Sequence, residues 1–186
     1  DPTEMRVYVL PYQGDAELPQ DPTEWPLEPP LDSFGETVEN ALANARASKD
    51  KIDQTVPDGA FNVKLGRGGI REIEFIAQAL QLAYGGRDRW LREGHTLISL
   101  ARLADRGHLS DAELTELSSA YEFLRRTEHV LQMENGLQTH TVPDDADKRA
   151  LLGRRIDMAG SGEFEIDLVR HTGNVERIFT RVFGEA

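Results

Sequence analysis

The sequence has no cysteine. Disulfides and thiolate metal sites are therefore excluded, and a reducing, cytoplasmic setting is expected. No apolar run approaches the roughly 20 residues of a membrane span. Proline is almost absent from the second part of the chain: eight of the nine lie in residues 1–57 and only Pro143 follows. Basic residues are scarce, with 21 Lys and Arg against 33 Asp and Glu, a net charge of −12. That balance argues against nucleic acid or an anionic membrane as partner, because both require a basic surface. The chain starts at Asp1 and not at a methionine. It is expected to be a piece of a longer protein.

The charge that is present is uneven. Residues 1–60 carry 4 basic and 13 acidic side chains, residues 61–108 carry 8 and 5, and residues 109–186 carry 9 and 15. A basic island in an acidic chain suits a small anionic group better than a polyanion. With 186 residues the chain can bury one sizeable core.

The prolines of "QDPTEWPLEPPLD" (20–32) exclude a helix there. Residues 1–32 read as an extended, Pro-rich N-terminal arm or linker with one candidate strand, "MRVYVL" (5–10). From Ser33 the pattern is helical. "SFGE" and "SDAE" (110–113) both have the Ser-x-x-Glu form of a capping box. Helices are expected over about 33–54, 69–84, 95–106, 110–134, 144–158 and from "SGEFE" to 183. Gly85-Gly86 and Gly107 act as stops. The fold class is all-α, a bundle of about six helices over residues 33–186.

Chemistry concentrates in "KLGRGGIREIEFIAQ" (64–78). Gly66, Gly68 and Gly69 allow close backbone approach to a ligand. A helix N-terminus follows, and Lys64, Arg67 and Arg71 add positive charge. The helix is apolar almost all round, through Ile70, Ile73, Phe75, Ile76, Ala77, Ala79, Leu80 and Leu82. Yet Arg67, Arg71, Glu74, Gln78 and Gln81 step by 4, 3, 4, 3 and share one face. A second seam, Tyr121, Arg125, Glu128, Gln132 and Asn135, repeats that spacing. Two explanations stand. Arg71–Glu74 and Arg125–Glu128 can be i,i+3 ion pairs that orient helices. Alternatively, the two seams face each other across a polar cleft, and the glycine turn holds a phosphate. The turn is neither G-x-G-x-x-G nor a Walker loop.

A metal site is not expected. The five histidines, His95, His108, His129, His140 and His171, show no ligand spacing, and most are expected at the surface or at caps. Glu128 and His129 are adjacent and so diverge by about 100° on a helix.

"NVKLGRGGIREIEFIAQALQLAYGG", "LISLARLADRGHLSDAEL" and "YEFLRRTEHVLQMENGLQTHTVP" occur in that order. Together they resemble the glutamine synthetase adenylyltransferase/deadenylyltransferase family over roughly residues 40–183. A looser form of the turn occurs in the related uridylyltransferases that modify PII signal proteins. The Ile-Arg-Glu-Ile-Glu version is similar to the N-terminal half of the two-part enzyme, which removes AMP from a glutamine synthetase tyrosine. The resemblance implies a nucleotidyltransferase domain ahead of this helical one. An Asp-x-Asp pair and a third carboxylate on that domain would bind Mg²⁺. Nucleotide, ATP or ADP, would belong to the full-length enzyme, with none bound tightly by this stretch alone. Partners implied are glutamine synthetase, a PII protein and the preceding domain; residues 1–32 would be its remnant or an insertion.

No catalytic residue is expected in this chain. "GSGEFEID" (160–167) imitates acid-x-acid at Glu165 and Asp167 but reads as a helix start. "MRVYVLPYQGD" places Arg6 where the third acid would stand. On this reading Lys64, Arg67, Gly68, Gly69 and Arg71 hold anionic oxygens. Glu74, Gln78, Arg125 and Glu128 support them. The alternative is a non-catalytic module that binds glutamine synthetase or a PII protein.

Overall fold

The computed structural model describes residues 60–135, 140–156, 158 and 161–184, with residues 40, 43, 46 and 47. Five helices are present among them: α1 (Ile70–Tyr84), α2 (Thr96–Asp105), α3 (Asp111–Asn135), α4 (Ala146–Arg155) and α5 (Ser161–Phe183). A single 3-10 turn, Arg89–Leu91, precedes α2. Pairing between strands is limited to one antiparallel bridge, Asn62 with Thr141, among the described residues. The all-α expectation holds. The arm over 1–32, its strand and the Ser33–Glu36 box lie outside the described residues. Asn40, Ala43, Arg46 and Ala47 are helical, in keeping with a helix over 33–54.

Local chemistry explains the boundaries. At α3, the Ser110 amide donates to Glu113 Oε2 (2.9 Å) and the Glu113 amide donates to Ser110 Oγ (3.3 Å), the reciprocal capping box. Gly107 takes φ +75°, and the His108 amide returns to Leu103 O (2.9 Å), closing α2 with a left-handed residue. α4 is shorter than expected at both ends. Asp145 caps it by accepting from the Lys148 amide (2.9 Å), and the Met158 amide closes back on Gly153 O (3.0 Å).

The core joins all five helices through Ile73, Ile76, Leu100, Leu124, Leu152 and Phe164. α5 packs on α3 and α4, and α1 packs on α2, α3 and α5. One expectation for α1 is corrected. Its apolar girdle is incomplete, because Leu82 is 68% exposed. α1 lies on the bundle and is not enclosed by it, so one side of the helix meets solvent.

Candidate functional site

The glycine turn, residues 62–69, is fixed by its own backbone. The Asn62 side chain accepts from the Lys64 and Leu65 amides at 3.0 and 2.9 Å. The Gly66, Gly69, Ile70 and Arg71 amides donate to the carbonyls of Asn62, Gly66, Val63 and Lys64. Gly68 takes φ +71°, and a Cβ there would stand 2.3 Å from Thr172 O on α5. Glycine is thus required twice over, by conformation and by close approach.

The Gly68 amide donates to Glu72 Oε2 at 2.8 Å. Glu72 is buried and reaches back from the third position of α1. Sequence reasoning did not single it out. The available signal was an acid three residues after the N-cap Gly69, half of a capping box. These contacts engage the amides of Gly68 and Gly69 within the fold. The turn's principal polar offering to solvent is its side chains.

Those side chains meet the second seam. Glu74 on α1 accepts from Arg125 on α3 at 2.7 Å and lies 3.4 Å from Arg71. Arg125 also donates to Glu128 at 2.8 Å and to the Tyr121 hydroxyl at 3.1 Å, with its guanidinium 5.1 Å from that ring's centre. Lys64 Nζ stands 3.9 Å from Glu128. The result is a continuous polar cluster running Arg71, Glu74, Arg125, Glu128, Lys64. The i,i+3 pairs of the first explanation exist, and the two helices meet at Glu74 and Arg125.

His140 joins the cluster from a distant part of the chain. The Val63 amide donates to His140 O and the Val142 amide to Phe61 O, both at 2.8 Å. This pairing brings His140 Nδ1 to 3.0 Å from Glu128 Oε1, without the alignment of a hydrogen bond. No spacing rule reveals that residue, because the bridge is made across some eighty residues.

The remaining expected residues fall elsewhere. Arg67 projects outward and pairs with Glu176 of α5 at 2.9 Å. Gln78 is exposed. Gln81 leaves the seam for α2, donating to Leu91 O, Glu93 O and Ser99 Oγ at 2.7, 2.8 and 3.0 Å. The Gln81 amide group is a structural pin between α1 and α2. Glu165 and Asp167 lie on α5, paired with Arg149 and Arg170.

The electrostatics are asymmetric. The carboxylates are deeper than the cations: Glu128 and Glu74 side chains are 7% and 15% exposed, whereas Lys64, Arg71 and Arg125 are 38–41% exposed. Three cations balance two carboxylates, so the exposed rim is net positive. Burial works against the charge of Arg125, but its bonds to Tyr121 and Glu128 prevail and push its pKa up. Two hollows of the surface do not coincide with the cluster. One of about 650 Å³ follows α5 from Gly173 to Gly184, and one of about 300 Å³ lies between α3 and α5 beside His171. The cluster is an open face and not an enclosed pocket.

The histidine expectation is corrected in part. His95 and His129 are exposed. His171 is buried and stacks on Phe123, and His108 stacks on Tyr84 with centroids 3.8 Å apart. Flat aromatic surfaces nearby shelter these imidazoles. Among the described residues no group of three or more His, Asp or Glu is arranged to hold a metal ion. Glu74 and Glu128, the carboxylates nearest the turn, are both bound by guanidinium and do not fit Mg²⁺. No described helix is long and apolar enough to cross a membrane.

A family model described as GlnD PII-uridylyltransferase matches residues 36–183. The chain is 44% identical over 128 residues to a bifunctional glutamine synthetase adenylyltransferase/adenylyl-removing enzyme of Aromatoleum aromaticum, covering 69% of this chain and 14% of that protein. Identically named proteins of Rhodopseudomonas palustris and Nitrosomonas europaea are 45% and 44% identical over 122 residues, covering 66% of this chain and 12% and 13% of theirs. The chain thus spans well under a fifth of these relatives' length. A helical bundle that carries the glycine turn and both seams, matched over most of its length, belongs to the family of glutamine synthetase adenylyltransferases and PII-uridylyltransferases.

Proposed function

We propose that this chain is the helical domain following the nucleotidyltransferase domain in the adenylyl-removing, N-terminal half of such an enzyme. The whole enzyme would act in the cytoplasm on glutamine synthetase, under PII control. Phosphate would attack the AMP–tyrosine phosphodiester; the bond from phosphorus to the tyrosine oxygen breaks, and ADP and free tyrosine leave. Mg²⁺ and its carboxylate ligands belong to the preceding domain on this reading. This chain contributes the facing wall. Lys64, Arg71 and Arg125 offer charge to phosphoryl oxygens, while Glu74 and Glu128 hold the two arginines in place.

The observation that carries the proposal is the depth order within the cluster. Carboxylates sit below and half-exposed cations sit above, on a face that nothing in the described residues covers. Arg125 by itself joins α1 to α3, at 2.7 Å from Glu74 and 2.8 Å from Glu128, whereas Arg71 and Lys64 add charge at the rim from 3.4 and 3.9 Å. The experiment is titration of inorganic phosphate and ADP into the chain joined to its preceding domain, with and without the double substitution Lys64→Gln and Arg71→Gln. The expected result is a loss of affinity of about tenfold or more with an unchanged fold. Equal affinity in both forms would sink the proposal.

A second reading has its own support. The turn's amides are engaged internally and Arg67 is tied to Glu176, so the turn offers less to an anion than its sequence promised. On that reading the face docks glutamine synthetase or a PII protein without touching nucleotide. Binding of either protein, with no response to ADP or phosphate, would favour it.

A further inference from the structure

A second basic surface lies at the opposite end of α1, about 20 Å from the glycine turn at 1.5 Å per residue. It is built on the 3-10 turn and α2. Trp90 is 48% exposed, an unusual position for so large an apolar ring. The Arg102 guanidinium lies 4.3 Å from its ring centre and donates to Trp90 O at 2.8 Å. Arg106 pairs with Asp88, Arg102 with Glu93, and Arg92 donates to Gly85 O and Gly86 O. The carboxylates of Asp88 and Glu93 are thus occupied. Arg89 is exposed on the same turn. Five arginines (87, 89, 92, 102 and 106) face three acids (88, 93 and 105) in a chain whose net charge is −12. An exposed indole under a guanidinium, ringed by further arginine, has the composition of a protein-binding hot spot for an acidic segment.

The chain itself carries such a segment. Residues 15–32 hold Asp15, Glu17, Asp21, Glu24, Glu28 and Asp32 with no Lys or Arg. They also hold five prolines, which lower the entropy lost on docking. The tether favours this end of the bundle. Arg46 donates to Phe183 O and Gly184 O, at 3.1 and 2.8 Å, where α5 ends. Arg181 of that same end pairs with Glu113 at the start of α3. Ser110, the capping partner of Glu113, lies four residues after Arg106 of the Trp90 surface. Asn40 and Arg46 are helical and Asp32 lies eight residues before Asn40, so Asp32 reaches about 20 Å from Arg46 if the helix continues and about 35 Å if residues 32–40 are extended. A tethered ligand at that range acts at millimolar effective concentration.

We propose that the Trp90 arginine surface is the docking site for the chain's own acidic, proline-rich segment 15–32. The proposal stands apart from the phosphate-facing role of the cluster at the other end of α1. The test uses the intact chain. Only two tryptophans exist, so Trp25→Phe leaves Trp90 as the sole reporter. Acrylamide quenching of Trp90 is measured in that protein and in a second form that also carries D15N, E17Q, D21N, E24Q, E28Q and D32N. Expected is quenching about twofold stronger in the neutralised form at low salt. At 0.5 M salt the two forms should converge, because charge attraction is then screened within a few ångströms. The neutralised form is not expected to unfold, and circular dichroism of both forms checks this. Equal quenching at low salt overturns the proposal. So does protection of Trp90 that salt removes but neutralisation leaves intact, since another segment would then be the occupant.

Discussion

Arg125 joins the two helices of the cluster, and its removal is the sharpest perturbation of the fold there. Arg125→Ala deletes the bonds to Glu74, Glu128 and Tyr121 at 2.7, 2.8 and 3.1 Å. A fully exposed pair is worth about 0.2–1 kcal/mol, and breaking a fully buried one costs about 3–5 kcal/mol. Arg125 lies between these limits, since Glu128 is buried and Glu74 largely so, while Arg125 itself is 40% exposed. The carboxylates are not abandoned. Lys64 and His140 remain near Glu128, and Arg71 remains near Glu74. A loss of about 1–3 kcal/mol follows, read as a lower urea midpoint with an unchanged slope. Arg71→Ala removes an ion pair of 3.4 Å and a cation–π contact with the Phe75 ring, 5.3 Å to its centre, at a side chain 41% exposed, so its cost should stay near or below about 1 kcal/mol. The ordering is the test. If Arg71→Ala costs as much as Arg125→Ala, the assignment of Arg125 as the joint between α1 and α3 is wrong.

Three further outcomes are expected. Leu80→Ala should cost about 2–5 kcal/mol in chemical denaturation and Leu82→Ala close to nothing, since Leu80 is buried and Leu82 is exposed; similar losses would contradict the placement of α1. Gly68→Ala should cost on the order of 3 kcal/mol or more, because a left-handed residue and a clash with the Thr172 backbone add together; a stable, crystallisable alanine variant with an unmoved turn would refute this. His171 has its pKa lowered by burial and then by Arg170, with Asp167 opposing. The unfolded chain therefore takes up that proton first as pH falls, so stability drops as pH falls below the ordinary histidine value of about 6.5 and levels off below the folded pKa. His171→Gln should flatten that part of the pH–stability profile, and an unchanged slope would show that another group is responsible.

The helices were legible because their signals are local. Ser110–Glu113 and Gly107 each act within one turn of chain, and the structure uses them as read. The two seams were legible as spacings, and Glu74–Arg125 confirms that they meet. What local pattern could not supply was the destination of each polar group. Gln81 shares the seam's spacing but is captured by Leu91 O and Ser99, contacts created by the chain reversal after Gly85. Glu72 lies off the seam and turns back to Gly68, because a buried amide needs an acceptor. His140 reaches Glu128 only through the bridge between residues 62 and 141. Leu82 matched the apolar pattern, yet it is 68% exposed, with no neighbour among the described residues that buries it.

The central claim is that the cations of the cluster serve an anion and not only each other. Arg71 separates the two roles best, since its partners are weak, Glu74 at 3.4 Å and the Phe75 ring at 5.3 Å, and it stands at the positive end of α1, where a further cation does not help the helix. The deciding measurement is the phosphate-dependent deadenylylation rate of the full enzyme carrying Arg71→Ala, beside its melting temperature. The account predicts a melting temperature within about 3 °C of the parent and a rate at least tenfold lower per folded molecule. A large fall in melting temperature with a normal rate per folded molecule would contradict it and leave Arg71 as half of an internal ion pair.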